Sequence, residues 1–217
     1  MALKLYAHPL SSYSQKAIIA LYELELPFEL AMVGVPATYA ELVALWPFGK
    51  FPVLIDGDHA IPEATVIVER LGQIAGGGRL IPPDAETALE ARLMDRVIDN
   101  YVATPQQSIV DDLLRDASQR DPRRAEAARA ALDKSYAWLE QRLAGRAWAA
   151  GEAFTLADCG AAPMLFYADW FHPIAPKHPT LAAYLTRLRQ RPSVRRTVEE
   201  GRPYWNLVPG GVPAHVG

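Results

Sequence analysis

Four hydroxyl-bearing side chains stand together at Ser11-Ser12-Tyr13-Ser14, with Lys16 two positions on. They fall between a segment that reads as a strand and one that reads as a helix, and so occupy a helix N-terminus. Unpaired N–H groups and the positive end of the helix dipole favour an anion there. A hydroxyl at that spot can donate to a thiolate and lower the pKa of a thiol. It can equally act only as an N-cap, a role for which serine is among the preferred residues.

A second cluster is Phe51-Pro52-Val53, at the start of the apolar run Val53-Leu54-Ile55. Proline lacks the N–H that a ladder needs, so it belongs at the first residue of a strand, at an edge or at a bulge. A cis Phe51-Pro52 bond would turn the Phe51 backbone outward, where it can pair with an extended peptide; a trans proline opening an edge strand is the plain alternative. The third cluster is Glu63-Ala64-Thr65, at the next helix start. A carboxylate there can receive a cationic amine while the helix amides receive a carboxylate, or it can simply complement the dipole.

Other residues carry less chemistry. Thr155-Leu156-Ala157-Asp158 has the spacing of a capping box before an apolar run, which is a structural role. Cys159 falls inside that same helix and reads as an inert core thiol. His8 precedes Pro9 beside the serine loop and could touch a substrate. His172 and His178 sit on a proline-rich loop without partners at ligand spacing, so no metal site is expected.

The elements that must position these clusters alternate in the first third. Leu3 to Ala7 reads as a strand, and the expected strand reaches back to Met1-Ala2. Ser12 to Leu24 reads as a helix with apolar steps of three and four, and Pro27 to Met32 as a second strand. Tyr39 to Leu45 is a short helix ended by Pro47 and Gly49. Pro52 to Ile55 and His59 to Ile61 form a hairpin through Asp56-Gly57-Asp58, and Glu63 to Ala75 a helix closed by three glycines. Composition shifts at Leu80-Ile81-Pro82-Pro83-Asp84, which reads as a stiff connector. Beyond it, helices are expected over Glu86 to Ala117, Arg123 to Leu143, Thr155 to Ala168, Thr180 to Gln190 and Ser193 to Gly201. The second of these carries Ala128, Ala131, Leu132, Ala137, Trp138 and Leu139 on its apolar side. The tail from Pro203 to Gly217 is rich in Gly and Pro, which predicts loose packing over the surface.

Composition narrows the partners. Of 217 residues, 50% are hydrophobic and 22% charged, and the net charge is −3, so neither nucleic acid nor an anionic membrane surface is expected. No apolar run is long enough to span a bilayer. The N-terminus lacks the basic start and apolar core of a signal peptide. One cysteine allows no internal disulfide, and a reducing cytoplasm is the simplest home.

The clusters are modest singly, but their order is specific. A strand, a serine loop opening a helix, Gly49-Lys50-Phe51-Pro52-Val53-Leu54, a Glu-opened helix, a Pro-rich linker and then helices with Phe154-Thr155-Leu156-Ala157-Asp158 resemble the cytosolic glutathione transferases over nearly the whole chain. The resemblance implies an α/β thioredoxin-like N-terminal domain over residues 1–79, a linker over 80–85 and an all-α C-terminal helical domain over 86–217. It also implies a homodimer, with glutathione as co-substrate and no metal. Phe51 is similar to the residue whose backbone pairs with the cysteinyl part of glutathione, and Pro52 to the cis-proline that follows it. Lys50 and Val53 flank them in the implied glutathione site. Glu63 resembles the acidic residue at the γ-glutamyl end.

The family usually has serine after that acid. Ala64 keeps the backbone N–H but lacks the hydroxyl, a loss of about 1 kcal/mol or several-fold in affinity. The serine loop is similar to those of the zeta, tau and theta classes. By register with Lys16, Ser11 matches the active serine of zeta and tau, and Ser12 that of theta and delta; Ser11 is the first choice. Tyr13 is expected to pack. The implied activity is conjugation of the glutathione thiolate to a hydrophobic electrophile, in a second pocket lined by His8, Leu10, Asn100, Tyr101, Gln106 and Gln107. Alternatives are a weakly catalytic ligand-binding protein, a zeta-like glutathione-dependent isomerase, and an interaction module.

Overall fold

The computed structural model describes residues 3–174 and 176–216. Met1-Ala2 and Gly217, to which the strand and tail expectations extended, lie outside them. Four strands form one sheet in the order β2-β1-β3-β4. Strand β1 (Leu3–Ala7) is central, with Leu3, Leu5 and Ala7 buried on one face and Tyr6 buried on the other. It pairs in parallel with β2 (Phe28–Met32), Leu5 opposite Leu30, and such a pair needs a crossover, which α1 (Ser12–Glu23) supplies. Strands β3 (Val53–Asp56) and β4 (His59–Pro62) make the expected hairpin, with Tyr6 opposite Val53 joining it to β1.

Helix α2 (Pro36–Leu45) begins before the expected Tyr39, because Pro36 suits a first helical position, where no N–H is needed. It covers a small cluster of Tyr6, Ala31, Val33, Leu42 and Val53 on one face of the sheet. Helix α3 (Ala64–Ile74) and α1 cover the other face. α1 is buried from Ser14 to Leu21 without a break, including Gln15 and Lys16, because it is wedged between the sheet and the helical part.

Beyond α3 the chain is helical. α4 (Ala85–Val97), a π-helical segment (Ile98–Ala103) and α5 (Thr104–Leu113) replace the single helix expected over Glu86 to Ala117. Pro105 explains the widened turn. It has no N–H for the Tyr101 carbonyl four residues earlier, which instead accepts from Ser135 Oγ at 2.5 Å. α6 (Pro122–Arg142) buries Ala128, Leu132, Ser135, Tyr136 and Leu139. Ala137 and Trp138, expected on its apolar side, are exposed, because the buried stripe runs through Tyr136. α7 (Leu156–Phe171) is the buried centre of the helical part and packs directly on α1.

Asp158 near its start accepts from Thr155 N–H (2.8 Å), Ala149 N–H (2.8 Å) and Tyr184 O–H (2.6 Å), which makes the capping box a tie between three segments. Burial pushes the Cys159 thiol beside it well up, so it is an inert core residue. α8 (Pro179–Gln190) and α9 (Pro192–Gly201) follow. The tail does not pack loosely throughout. It runs on as a 3₁₀ segment (Arg202–Leu207), with Trp205 edge-on to Trp170 and Val208 buried, because its aromatic and aliphatic side chains find partners that Gly and Pro content conceals. Among the described residues no helix is long and apolar enough to cross a membrane.

Candidate active site

Ser11 is the N-cap of α1. Its backbone is extended, with φ −77°, and its Oγ accepts from Ser14 N–H at 3.3 Å. Capping uses an oxygen lone pair and leaves the hydroxyl proton free, so the two roles open to this serine are compatible. Ser12 is the first helical residue. Ser14 is turned inward, where its Oγ accepts from His8 N–H at 3.3 Å.

The Phe51-Pro52 peptide bond is cis. The turn before it closes through Gly49 at φ +62°, where a Cβ would stand 2.6 Å from Tyr39 Oη. Lys50 is exposed at this turn. Val53 is fully buried, its backbone placed between Tyr6 and Pro62 in the sheet. Glu63 is the N-cap of α3, and it holds φ +69°, ψ 114°, a conformation rare for a residue with a Cβ. Such outliers persist only where the surroundings impose them, and they concentrate at functional sites. Sequence reasoning placed Glu63 inside the helix and missed this backbone feature, for which no composition signal exists.

Two hollows meet here. The smaller, about 230 Å³, is lined by Tyr13, Trp46, Lys50, Phe51, Pro52, Glu63 and Ala64. It collects every sequence-predicted glutathione residue except Val53, which supports it from below. The larger, about 380 Å³, is lined by His8, Leu10, Ser11, Ser12, Gln106 and Gln107, with Tyr13 and Phe51 shared between the two. Tyr13 was expected only to pack, yet its ring forms the wall common to both. Burial, then the nearby Asp99 carboxylate, pushes its hydroxyl up to about 12, so it stays protonated.

Asn100 and Tyr101 do not join this cleft. They line a separate hollow of about 460 Å³ against α6, with Ala131 and Lys134, because the π-helical segment shifts the face that α-helical periodicity assigns them. In their place the larger hollow takes Val110 and Leu114 from the end of α5, Tyr167 and Phe171 from α7 and Leu207, Val208 and Pro209 from the tail. Sequence reasoning missed all seven; the aromatic residues at the end of α7 were the only available signal.

A buried ionic cluster fixes the two helix starts relative to each other. Lys16 Nζ, with no exposed side-chain surface, lies 2.5 Å from Asp95 Oδ1, 3.1 Å from Asp99 Oδ2 and 2.8 Å from Thr65 Oγ1. The Asp95 approach is not a directed hydrogen bond, and that oxygen has no other partner. Arg96 closes the cluster on the solvent side, donating to Asp95 Oδ2 at 2.8 Å and to Asp99.

Comparison with known proteins agrees with this geometry. Residues 5–79 match the family described as glutathione S-transferase, N-terminal domain, and residues 121–203 match its C-terminal domain. A glutathione S-transferase of Pseudomonas putida is 32% identical over 157 residues, 72% of this chain and 70% of that one. A probable maleylacetoacetate isomerase of Vibrio cholerae is 27% identical over 212 residues, 94% of this chain and 98% of that one. Among solved structures, a glutathione S-transferase from Methylobacterium radiotolerans in complex with glutathione sulfonate superposes with a TM-score of 0.78 at 26% identity, covering 91% of this chain and 95% of that one. A thioredoxin-like sheet unit followed by an all-helical part, matched at both ends by the same family, places this chain in the glutathione S-transferase family.

Proposed function

We propose that this chain is a glutathione S-transferase that joins the glutathione thiolate to a hydrophobic electrophile. The observation that carries the reading is the shared wall: one hollow gathers Phe51, Pro52, Glu63 and Ala64, the next holds Ser11 and Ser12, and Tyr13 and Phe51 belong to both. Glutathione lies in the smaller hollow, with its cysteinyl backbone on Phe51 and its γ-glutamyl end at Glu63 and the first amides of α3. Lys50 faces the solvent side of the tripeptide, and Val53 holds the strand beneath it.

The sulfur then points toward the larger hollow. Ser11 donates a hydrogen bond from its free hydroxyl to the sulfur and favours the thiolate, which is the nucleophile. The thiol proton leaves to solvent. The thiolate forms a C–S bond with the electrophilic carbon, and a leaving group departs with its bonding pair or the carbon skeleton takes up a proton. Residues 1–79 supply the glutathione side, residues 86–217 close the electrophile side against the start of α1, and the enzyme works as a homodimer in the cytoplasm.

A second reading, a ligand-binding protein with little turnover, draws on Ala64, which removes one hydroxyl from the γ-glutamyl end. Conjugation assays with a panel of electrophiles, run beside glutathione calorimetry, separate the two. Turnover supports the transferase; glutathione binding with no turnover supports the second reading; no glutathione binding defeats the first.

A further inference from the structure

The turn that delivers Ser11 is closed by one residue. Ser11 N–H donates to His8 C=O at 2.9 Å, which makes His8-Pro9-Leu10-Ser11 a four-residue turn with proline at its second position, where a fixed φ is an advantage. Leu10 N–H, inside the turn, donates to His8 Nδ1 at 3.1 Å. The His8 ring thereby does what an Asp or Asn side chain does in such turns, accepting from the backbone two residues on. His8 N–H donates to Ser14 Oγ at 3.3 Å, and Ser14 N–H to Ser11 Oγ at 3.3 Å, so the loop closes on itself.

The outer corner of this turn is fixed from behind. The buried Gln15 amide donates to Pro9 C=O at 2.7 Å, and α9 comes so close at Gly201 that a Cβ there would stand 3.0 Å from the same oxygen. The inner corner, which leads into Ser11, depends on His8: among the described residues the Leu10 amide has no other acceptor.

With Nδ1 accepting, the neutral imidazole carries its proton on Nε2. A second proton would go onto Nδ1, where it would face Leu10 N–H and remove the acceptor. The surroundings do not favour that proton. On one side of the ring lies Gly34, where a Cβ would stand 3.7 Å from Nε2, and Tyr204 is edge-on at 5.0 Å. The hollow onto which the ring opens offers the phenols of Tyr13 and Tyr167 and the amides of Gln106 and Gln107, but no acid, lysine or arginine. Burial pushes the His8 pKa below the ordinary 6.5.

We propose that His8 is a positioning residue: as the neutral ring it holds the Leu10 amide, and so fixes the turn that aims the Ser11 hydroxyl at the glutathione sulfur. The role rests on the glutathione reading above. Protonating the ring, or replacing it by a group that cannot accept, loosens the turn and leaves the Ser11 side chain itself intact.

Two substitutions separate positioning from packing. His8→Phe keeps a flat ring of similar size and loses the acceptor. His8→Asn loses the ring and keeps an acceptor that reaches the backbone two residues on. The thiol pKa of bound glutathione, read from thiolate absorbance, should rise by about half a unit or more in His8→Phe and return most of the way toward wild type in His8→Asn. A packing role gives the opposite order. The second readout is the ratio of wild-type to His8→Asn kcat/KM for 1-chloro-2,4-dinitrobenzene across about pH 5 to 8, in which the titration of the glutathione thiol cancels. That ratio should be level above 6.5 and fall by about threefold or more toward the acid end, and it serves if His8→Phe fails to fold. A thiol pKa no higher in His8→Phe than in His8→Asn, or a ratio that stays level throughout, overturns the role while glutathione binding stands. Absence of glutathione binding in wild-type calorimetry overturns the reading beneath it.

Discussion

Lys16 Nζ on α1 stands 2.8 Å from Thr65 Oγ1 on α3, with Asp95 and Asp99 closing around the same ammonium. The helix that Ser11 caps and the helix that Glu63 caps are thereby pinned by one fully buried cation. Those two caps mark the sulfur and the γ-glutamyl end of the proposed tripeptide site, so the distance between them is set by this cluster rather than by loops.

Removing the cation leaves two buried carboxylates with only the half-exposed Arg96 as counter-charge. Lys16→Met should destabilise the fold by about 3–5 kcal/mol, the range for breaking one partner out of a buried pair. The glutathione Kd should rise as well, since the two helix starts that frame the proposed site lose their common anchor. Urea unfolding with unchanged slope measures the first and calorimetry the second. Wild-type stability in the variant would show that the cluster contributes little.

The two serines should separate kinetically. Ser11→Ala removes both a cap, worth about 1 kcal/mol, and the proposed donor to the sulfur. Its kcat/KM for conjugation should fall by about tenfold or more. Ser12→Ala should stay within about threefold of wild type, because Ser12 caps nothing. The reverse order would move the donor role to Ser12.

Ala64 is buried at the first turn of α3, where the family pattern has a serine hydroxyl. Ala64→Ser should tighten glutathione binding several-fold, about 1 kcal/mol, by one added neutral hydrogen bond. Calorimetry at fixed salt decides it; unchanged or weaker binding would place the γ-glutamyl carboxylate elsewhere.

Burial lowers the His8 pKa from its ordinary 6.5. Between the folded value and 6.5 the unfolded chain binds more protons than the folded one, so stability rises with pH across that window and falls as acid is added through it. Above 6.5 both states are neutral at this residue and the slope from His8 vanishes. Glu23 acts in a different range. Burial opposes its charge, but hydrogen bonds from Arg191 and Ser193 outweigh burial and hold the carboxyl below 4.5, so its contribution is lost only under stronger acid. Melting temperature followed downward from neutral pH should drop in the His8 window, and His8→Phe should flatten that drop. An equal drop in the variant would assign it to other groups.

Much of this fold was legible because its elements carry local signals. The serine cap, the Asp56-Gly57-Asp58 turn and the Thr155–Asp158 box each announce an element start or stop, and each stands where its residues predict. The smaller hollow, proposed for glutathione, was legible as a cluster for the same reason, since Phe51, Pro52, Glu63 and Ala64 are close in sequence. The larger hollow was not. It is assembled from α1, α5, α7 and the tail, and no local pattern reports which helix faces meet. Asn100 and Tyr101 went astray because Pro105 forces a π-helical turn that α-helical counting cannot anticipate. Lys16 read as a register marker, whereas its burial depends on two aspartates about eighty positions away.

The central claim is that glutathione binds here with its sulfur held as a thiolate by Ser11. The direct measurement is the pKa of the bound thiol, read from thiolate ultraviolet absorbance as pH is varied in the wild-type complex and in Ser11→Ala. The account predicts a value at least about one unit below that of a free cysteine thiol, about 8.5, and a return toward that value in the variant. A bound thiol that titrates like the free one, or a depressed value that survives Ser11→Ala, would contradict it.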